Sequence, residues 1–169
     1  QLLFNRGIIA EAEKEKFYNP QISDYQKLVD IPNIAVAMKR IKKAIDDQEL
    51  IVVYGDYDVD GVTSVAMFYG FIKNLHESVQ FYIPDRYTEG YGLSQQAVNW
   101  AIETGFKLII TLDCGIKAIN CIQQAQAAGI DVIVCDHHEP GAVLPPAYAL
   151  LDPKQPGCSY PFQSLSGLS

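Results

Sequence analysis

The stretch IVVYGDYDVDGVTSVAMF, residues 51–68, decides the fold. A short apolar run leads into an acidic turn that contains glycine, and helix-compatible residues follow the turn without a break. Such a run is typical of a strand buried on both faces of a parallel sheet, and the residues after the turn are typical of its crossover helix. We therefore expect a strand near 51–55 and a helix over 62–75.

The same alternation of apolar runs and helix-like stretches continues through the sequence. It predicts helices over 94–104 and 115–128, and further strands near 79–83, 107–112, 130–135 and 147–151. Successive units of this type form an α/β fold in which helices flank a parallel sheet. Residues 1–50 are polar and helix-like, so we expect an N-terminal helical segment, 1–50, before a domain, 51–169, that is truncated at its C-terminal end.

The composition is that of one ordinary globular domain. The chain has 169 residues, 49% of them hydrophobic, and 13 basic against 20 acidic residues give a net charge of −7. Its apolar runs are far shorter than the ~20 residues of a membrane span, so we expect no membrane contact. The acidic balance disfavours attraction to nucleic acid unless a divalent metal neutralises the carboxylates.

The cysteines and the chain ends give two further expectations. The chain has four cysteines, and their spacing forms neither a CxxC pair nor a close cluster with histidine. They are Cys114, Cys121, Cys135 and Cys158. This argues against structural zinc and favours reduced, cytoplasmic thiols. The chain begins with Gln1 and ends in LSGLS, without an initiator methionine or a signal peptide, so we expect a piece of a longer protein.

Each of the first four predicted strands ends in a polar cluster. The clusters are GDYDVDG at 55–61, PDRYTEGYG at 84–92, DCG at 113–115 and DHHEP at 136–140. Ligands of open α/β sheets bind outside the carboxyl ends of the strands. We therefore expect the four clusters to converge on one crevice.

The first cluster has the composition of a divalent-metal site. Asp56, Asp58 and Asp60 alternate along the chain, so they share one face if the strand continues through them. Three carboxylates that close together repel one another unless a cation binds between them. A solvated acidic turn is the alternative. The opening of an EF-hand loop also matches, but position twelve of such a loop is Met67 instead of glutamate.

The third and fourth clusters offer further metal ligands. Asp113 directly follows an apolar strand, where it either faces the crevice or caps the next helix. Asp136, His137 and His138 follow the next strand. Adjacent side chains of an extended chain point in opposite directions, so one histidine would bind metal and the other would face substrate. Mixed carboxylate and imidazole ligands suit Mn²⁺, with Mg²⁺ as the alternative.

Arg86 is the cation embedded among the polar clusters. Its guanidinium group suits bidentate recognition of a phosphate, and the alternative is a salt bridge to Glu89. Gly90 lets the backbone approach a ligand closely. Together the clusters indicate metal-assisted hydrolysis of a phosphoester, in which two metal ions orient water and stabilise charge.

The four motifs, in this order, resemble those of the DHH phosphoesterases. The stretch EGYGL at 89–93 and the tail from 152 to 167 are similar to RecJ-type single-strand-specific exonucleases, and the resemblance covers about residues 50–169. It implies that His138 contacts the scissile phosphate and that Asp56 and Asp136 support the site. It also implies two Mn²⁺ ions in the complete enzyme, held by Asp58, Asp60, Asp113 and His137. Many members carry histidine four residues before the first aspartate of the DxD pair, whereas this sequence has Tyr54.

The resemblance also implies a function. The complete enzyme would hydrolyse phosphodiester bonds of single-stranded DNA from the 5′ end, in the cytoplasm, during recombination and repair. Its partners would be single-stranded DNA, C-terminal domains that this chain lacks, and a helicase or single-strand-binding protein. We expect the chain alone to be incomplete for activity.

Other functions compete with this one. A DHH phosphoesterase with the same metal site would act on short oligonucleotides or cyclic dinucleotides. A non-catalytic replication or repair scaffold would need no metal, so metal binding discriminates it from an enzyme. A haloacid-dehalogenase-like phosphatase fits DVDGV at 58–62, but such an enzyme carries a later acidic pair where this sequence has DHH.

Overall fold

A five-stranded parallel sheet forms the centre of the molecule. The computed structural model describes residues 1–21, 31–161 and 163–168. The strands are β1 (Ile51–Gly55), β2 (Val79–Tyr82), β3 (Leu108–Leu112), β4 (Asp131–Cys135) and β5 (Ala149–Leu151). All five lie within the segments that the apolar runs predict and pair in parallel. The expected α/β fold is confirmed.

Helices precede the sheet and connect its strands. In the described part of the chain they are α1 (Leu2–Asn5), α2 (Glu11–Tyr18), α3 (Ile34–Asp46), α4 (Val59–Lys73), α5 (Gln95–Thr104) and α6 (Ile119–Ala127). The predicted N-terminal helical segment includes residues 22–30, which lie outside the described residues, and its boundary at residue 50 stays a prediction. Every described helix is too short or too polar to span a bilayer.

The strand order creates a crevice beside β1. The strands lie in the order β2-β1-β3-β4-β5, so the chain leaves β1 toward one edge of the sheet and returns to its other side for β3. In a sheet of this order, ligands bind outside the carboxyl ends of the strands where the order reverses. Gly55 pairs with Leu112 at that end. Residues that follow β1 and β3 therefore emerge side by side.

Strand side chains alternate between two buried layers. One layer packs against α5 and α6 and includes Val52, Ile109, Val98 and Ile122. The other packs against α3 and α4 and includes Ile51, Ile110, Ala44 and Val65. Because helices cover both faces, the central strands β1 and β3 are buried along their whole length, which is why the sequence reveals them so clearly.

An ion cluster around the buried Arg40 side chain links α3 to the sheet. The Arg40 side chain is 5% exposed, its Nε lies 2.5 Å from Asp131 Oδ2, and its Nη2 lies 2.7 Å from Glu49 Oε2. The same Nη2 donates to the Lys107 carbonyl oxygen at 3.2 Å. Arg40 thus joins α3 to the start of β4 and to the residues that lead into β1 and β3.

Replacing Arg40 tests this cluster. Arg40→Met leaves Asp131 without its cation and leaves Glu49 with Lys43 alone, so we expect the free energy of unfolding to fall by about 2–3 kcal/mol, measured by urea denaturation. The matched control is Lys42→Met, which breaks an exposed pair with Asp46 and should change stability by less than about 0.5 kcal/mol. Equal effects of the two substitutions would contradict the structural role of Arg40.

Candidate metal centre

The acidic cluster after β1 lies on a tight turn between strand and helix. β1 ends at Gly55 and α4 begins at Val59, so the strand does not continue through the three aspartates and they share no strand face. The reason is that Asp58 caps α4: its Oδ1 accepts the Gly61 N–H at 3.0 Å. The turn requires glycine at 61, because a Cβ there would lie 2.4 Å from the Asp56 carbonyl oxygen.

Asp60, in the first turn of α4, is held by the C-terminal segment, residues 163–168. Its Oδ2 accepts the Gly167 N–H at 2.7 Å, and its Oδ1 accepts the Leu168 N–H at 2.8 Å. Gly167 also lies against Asp113, since a Cβ on this glycine would be 2.5 Å from Asp113 Oδ1. Sequence reasoning missed these contacts, because Gly167 and Asp60 are 107 positions apart and no motif signals their meeting.

Asp113 lies at the centre of the crevice. It follows β3 with φ 62° and is 1% exposed. It does not cap α6, whose N-cap is Ala118. Its Oδ1 lies 2.9 Å from His137 Nε2, but the two atoms are not aligned for a hydrogen bond. This Oδ1 atom has no hydrogen-bond partner among the described residues. Burial, followed by the charges of Asp60 and Asp58, raises the pKa of Asp113 to about 7.

Asp136 organises the two histidines. Its Oδ1 accepts the backbone N–H groups of His137 and His138 at 2.7 and 3.1 Å, and its Oδ2 accepts the Ile116 N–H at 2.9 Å. The two imidazole rings lie 4.5 Å apart between centroids. The expectation that they point in opposite directions is therefore wrong, because β4 ends at Cys135 and the chain turns around the Asp136 carboxylate.

His138 lies between Asp136 and Tyr91. The Asp136 Oδ1 atom is 2.7 Å from His138 Nδ1, so this nitrogen carries the proton and Nε2 accepts the Tyr91 O–H, also at 2.7 Å. Burial and neighbouring carboxylates raise the pKa of Tyr91, which keeps its phenol protonated. Sequence reasoning did not identify this contact of Tyr91, because nothing in the spacing of the two motifs indicates it.

Four residues, Asp60, Asp113, His137 and His138, form what we call the ligand group. One ligand atom from each of the last three lies within 4.8 Å of the others, and Asp60 Oδ2 is 3.7 Å from His137 Nε2. Adjacent ligands of an octahedral ion with bonds of ~2.1 Å are about 3 Å apart. The Asp113–His137 spacing of 2.9 Å matches this value. The unpartnered Asp113 oxygen and the mixed donor set therefore fit Mn²⁺ or Mg²⁺.

Asp56 and Tyr54 lie behind the ligand group. Asp56 is fully buried, its Oδ1 accepts the Tyr57 N–H at 2.8 Å, and its Oδ2 has no partner within the described ranges. Burial raises the pKa of Asp56. The Tyr54 hydroxyl donates to the Gly92 carbonyl oxygen at 2.6 Å. Tyr54 therefore anchors the loop between β2 and α5, in place of the metal ligand that the family histidine implies.

Arg86 and Gly90 belong to this β2–α5 loop, residues 83–94. Arg86 is exposed, and its guanidinium carbon lies 5.3 Å from the centre of the Tyr57 ring. Its alternative partner, Glu89, instead accepts hydrogen bonds from Tyr82, Asp85 and Ser94. Gly90 has φ 83°, a conformation that glycine adopts without strain. The structure thus leaves the Arg86 guanidinium in solvent beside the turn that carries Asp58.

Cavities flank the ligand group on two sides. One, of about 240 Å³, is mainly apolar and lies between α4 and the C-terminal segment, with Phe68 and Leu165 in its wall. The other, of about 300 Å³, lies between the β2–α5 loop and the connection from β3 to α6, with Lys117 and His138 in its wall. His137 lines the first cavity and His138 lines the second, so both cavities reach the ligand group.

Asp152 is a further buried carboxylate at this end of the sheet. It follows β5, its Oδ1 accepts the Lys154 N–H at 2.7 Å, and its Oδ2 has no partner in the described part of the chain. Burial raises the pKa of Asp152 to about 6. Sequence reasoning did not single it out, although its position directly after an apolar strand is the same signal that identified Asp113.

Comparison with known proteins assigns the fold and its motifs to a family. The family model described as DHH family, N-terminal domain, matches residues 50–169. The chain belongs to the DHH family. The resemblance drawn from GDYDVDG, DCG and DHH is thereby confirmed.

Several individual relatives are named exonucleases. The chain is 45% identical over 167 residues to the single-stranded-DNA-specific exonuclease RecJ of Bacillus subtilis (strain 168), a match that covers 99% of this chain and 21% of that protein. It resembles a crystal structure of exonuclease RecJ bound to manganese, with a TM-score of 0.72, 32% identity, and coverage of 79% of this chain and 34% of that chain.

A second solved structure agrees. RecJ in complex with Mn²⁺ from Thermus thermophilus matches with a TM-score of 0.71 and 26% identity, over 94% of this chain and 22% of that chain. The chain spans 21% to 29% of the length of the first curated relatives that it matches.

Gly167→Ala tests whether the C-terminal segment positions the ligand group. The new Cβ would displace Asp113 or withdraw the Gly167 N–H from Asp60, so we expect Mn²⁺ affinity to fall about three- to tenfold by calorimetry. The matched control is Gly70→Ala on α4, where a Cβ meets nothing within 4 Å. Equal Mn²⁺ affinity of the two variants would show that the segment has no positioning role.

Asp152→Asn tests the cost of the buried carboxylate. Because the folded-state pKa of about 6 exceeds the ordinary value of 3.8, stability is lost as the pH rises between these two values. The amide removes this charge, so we expect about 2 kcal/mol more unfolding free energy than the unaltered chain at pH 7 and little difference below pH 4. Urea denaturation at both pH values measures this, and a pH-independent difference would refute it.

Proposed function

We propose that this chain builds the metal centre of an exonuclease that hydrolyses phosphodiester bonds of single-stranded DNA in the 5′-to-3′ direction. The observation that carries the proposal is the unpartnered Asp113 Oδ1, 2.9 Å from His137 Nε2, in the crevice between β1 and β3. The relatives support the substrate, because those that match 99% of this chain are named single-stranded-DNA-specific exonucleases.

The proposed cofactor is Mn²⁺, with Mg²⁺ as the alternative and two ions in the complete enzyme. Support comes from the donor set and from two similar structures that are named as manganese complexes. We assign as metal ligands Asp60, Asp113 and His137 of the ligand group, together with Asp58. The fourth member of the ligand group, His138, is assigned to the substrate. When bound, ions of this kind polarise phosphoryl oxygens and lower the pKa of water so that it attacks near neutral pH.

The remaining polar residues orient these ligands and the substrate. Asp136 keeps the proton of His138 on Nδ1, so that Nε2 is an acceptor. We assign His138 to the scissile phosphate, where Nε2, once protonated, would donate to a phosphoryl oxygen in place of accepting the Tyr91 O–H. Asp56 binds the Tyr57 N–H and so fixes the turn that carries Asp58.

Arg86 and Gly90 are assigned to the phosphates of the strand. The Arg86 guanidinium has no carboxylate partner among the residues that the structure describes, and it lies on the Tyr57 ring beside the turn of the metal centre. Its N–H groups suit bidentate binding of a phosphate. The conformation of Gly90 allows the backbone to approach the strand closely.

We place this activity in recombination and repair in the cytoplasm, with a helicase or single-strand-binding protein as partners. The four free cysteines support a reducing compartment. We keep 1–50 as the N-terminal helical segment and 51–169 as the DHH phosphoesterase domain. Regions of the relatives beyond the matched part are proposed to close over the DNA.

Titration with Mn²⁺ tests the ligand assignment. Asp113→Ala and His137→Ala each remove one ligand, so we expect Mn²⁺ affinity to fall at least tenfold by calorimetry while circular dichroism stays unchanged. The control is Asp46→Ala, an exposed carboxylate at the far end of α3. If Asp113→Ala and His137→Ala bind Mn²⁺ as the control does, the ligand assignment fails.

A cleavage assay tests the substrate. The chain, with Mn²⁺, is given 5′-labelled single-stranded and duplex DNA, and a chelator provides the blank. Single-strand-selective release of nucleotides supports the substrate assignment, and Mn²⁺ binding without cleavage is the result expected of a chain that is incomplete for activity. Cleavage of short oligonucleotides or cyclic dinucleotides alone would favour that second enzyme, and failure to bind Mn²⁺ at all would favour the scaffold.

A further inference from the structure

Lys117 is a cation that the metal centre does not use. It lies in the connection from β3 to α6, residues 113–118, and it lines the 300 Å³ cavity together with Tyr91, Leu93 and His138. We call this space the β3–α6 cavity. Lys117 is exposed, and its ammonium group has no hydrogen bond or ion pair within the described part of the chain.

The unpaired state of Lys117 is informative because the chain is acidic. The whole chain carries a charge of −7, and Asp113 and Asp136 lie near this connection. Lys117 nevertheless forms no pair with either carboxylate within the described part of the chain; these carboxylates contact His137, His138 and the Ile116 N–H. A lysine left free at the wall of a cavity is available to bind an anionic group of a ligand.

The β3–α6 cavity is continuous with the metal centre. Asp136 and His138 form its wall, and His138 belongs to the ligand group. A group that occupies the cavity therefore lies directly beside the position assigned to the scissile phosphate. A volume of about 300 Å³ is at the lower end of ligand pockets, which suits one nucleotide unit rather than a longer stretch of strand.

The chemistry of the wall also suits a nucleotide. Leu93 and Ile116 offer apolar contact to a sugar or base, and Tyr91, 58% exposed, also lines the cavity. Lys117 offers a point charge for a phosphate. The first turn of α6 adds to the positive potential, since it has no side-chain cap and no acidic residue.

We propose that the β3–α6 cavity binds the nucleotide next to the scissile phosphate and that Lys117 contacts the phosphate of this nucleotide. The inference rests on the proposed function and deepens it. It assigns a substrate-binding role to Lys117, and it makes the cavity the place where one nucleotide of the strand is held while the adjacent bond is hydrolysed.

The test compares Lys117→Met, Lys117→Arg and a matched control. The control is Lys73→Met, at the opposite end of α4 from the site, where Lys73 contacts only the Glu77 carbonyl oxygen. Binding of a short 3′-fluorescein oligothymidylate is measured by anisotropy over a range of salt concentrations, with Ca²⁺ in place of Mn²⁺ to prevent cleavage. Mn²⁺ titration of each variant reports separately on the metal centre.

We expect Lys117→Met to weaken oligothymidylate binding about three- to tenfold and to reduce the salt dependence, the slope of log K against log salt, by about 0.7, as for one lost phosphate contact. Lys117→Arg should retain most of the affinity. Lys73→Met should behave as the unaltered chain, and Mn²⁺ affinity should be the same in all variants.

Three results would overturn the inference in distinguishable ways. If the unaltered chain binds oligothymidylate and Lys117→Met has the affinity and salt slope of Lys73→Met, the role of Lys117 is refuted and the proposed function stands. If the unaltered chain with metal does not bind oligothymidylate, both the role of Lys117 and the proposed function are refuted. A loss of Mn²⁺ affinity in Lys117→Met would also refute a direct phosphate contact.

Discussion

The structure depends on carboxylates being crowded at the point where the strand order reverses. Asp113 is almost fully buried, and the charges of Asp60 and Asp58 add to burial in raising its pKa. Like charges held this closely are costly unless a cation compensates them. The fold nevertheless imposes the arrangement, because β1 and β3 end side by side and the DHH turn brings His137 against Asp113. In the proposed function, a divalent metal ion would compensate these charges and supply the Lewis acid for hydrolysis.

Backbone groups and residues behind the ligands hold this crowded site together. Asp136 binds the backbone N–H groups of His137 and His138 and the His138 ring. The Asp60 carboxylate accepts hydrogen bonds from the N–H groups of Gly167 and Leu168 in the C-terminal segment. Such partners fix the direction of metal ligands and are part of the site as much as the ligands are. Tyr54 occupies the position of the family histidine and is buried in the apolar layer. Its hydroxyl group binds the Gly92 carbonyl oxygen and so anchors the β2–α5 loop.

The sequence predicts the sheet and the site motifs for the same physical reason. Strands covered on both faces are apolar throughout, and the polar residues that follow them stand out at each strand end. The sequence pattern did not predict the turn after β1. The Asp58 cap and Gly61 form a turn where the alternating aspartates suggested that the strand continues. Contacts between residues far apart in the sequence, such as the one between Gly167 and Asp60, could not be predicted from local motifs. Lys117 lies just after DCG, yet only the three-dimensional structure shows that it lines a cavity.

The central claim is that Asp113 and His137 share a divalent metal ion. The most direct measurement is anomalous diffraction from crystals of this chain soaked in Mn²⁺, with data collected on both sides of the manganese absorption edge. We expect an anomalous peak about 2.1 Å from both Asp113 Oδ1 and His137 Nε2, with Asp60 beside it. A Mn²⁺-saturated crystal with no peak in this crevice, or with peaks only at surface carboxylates, would contradict it.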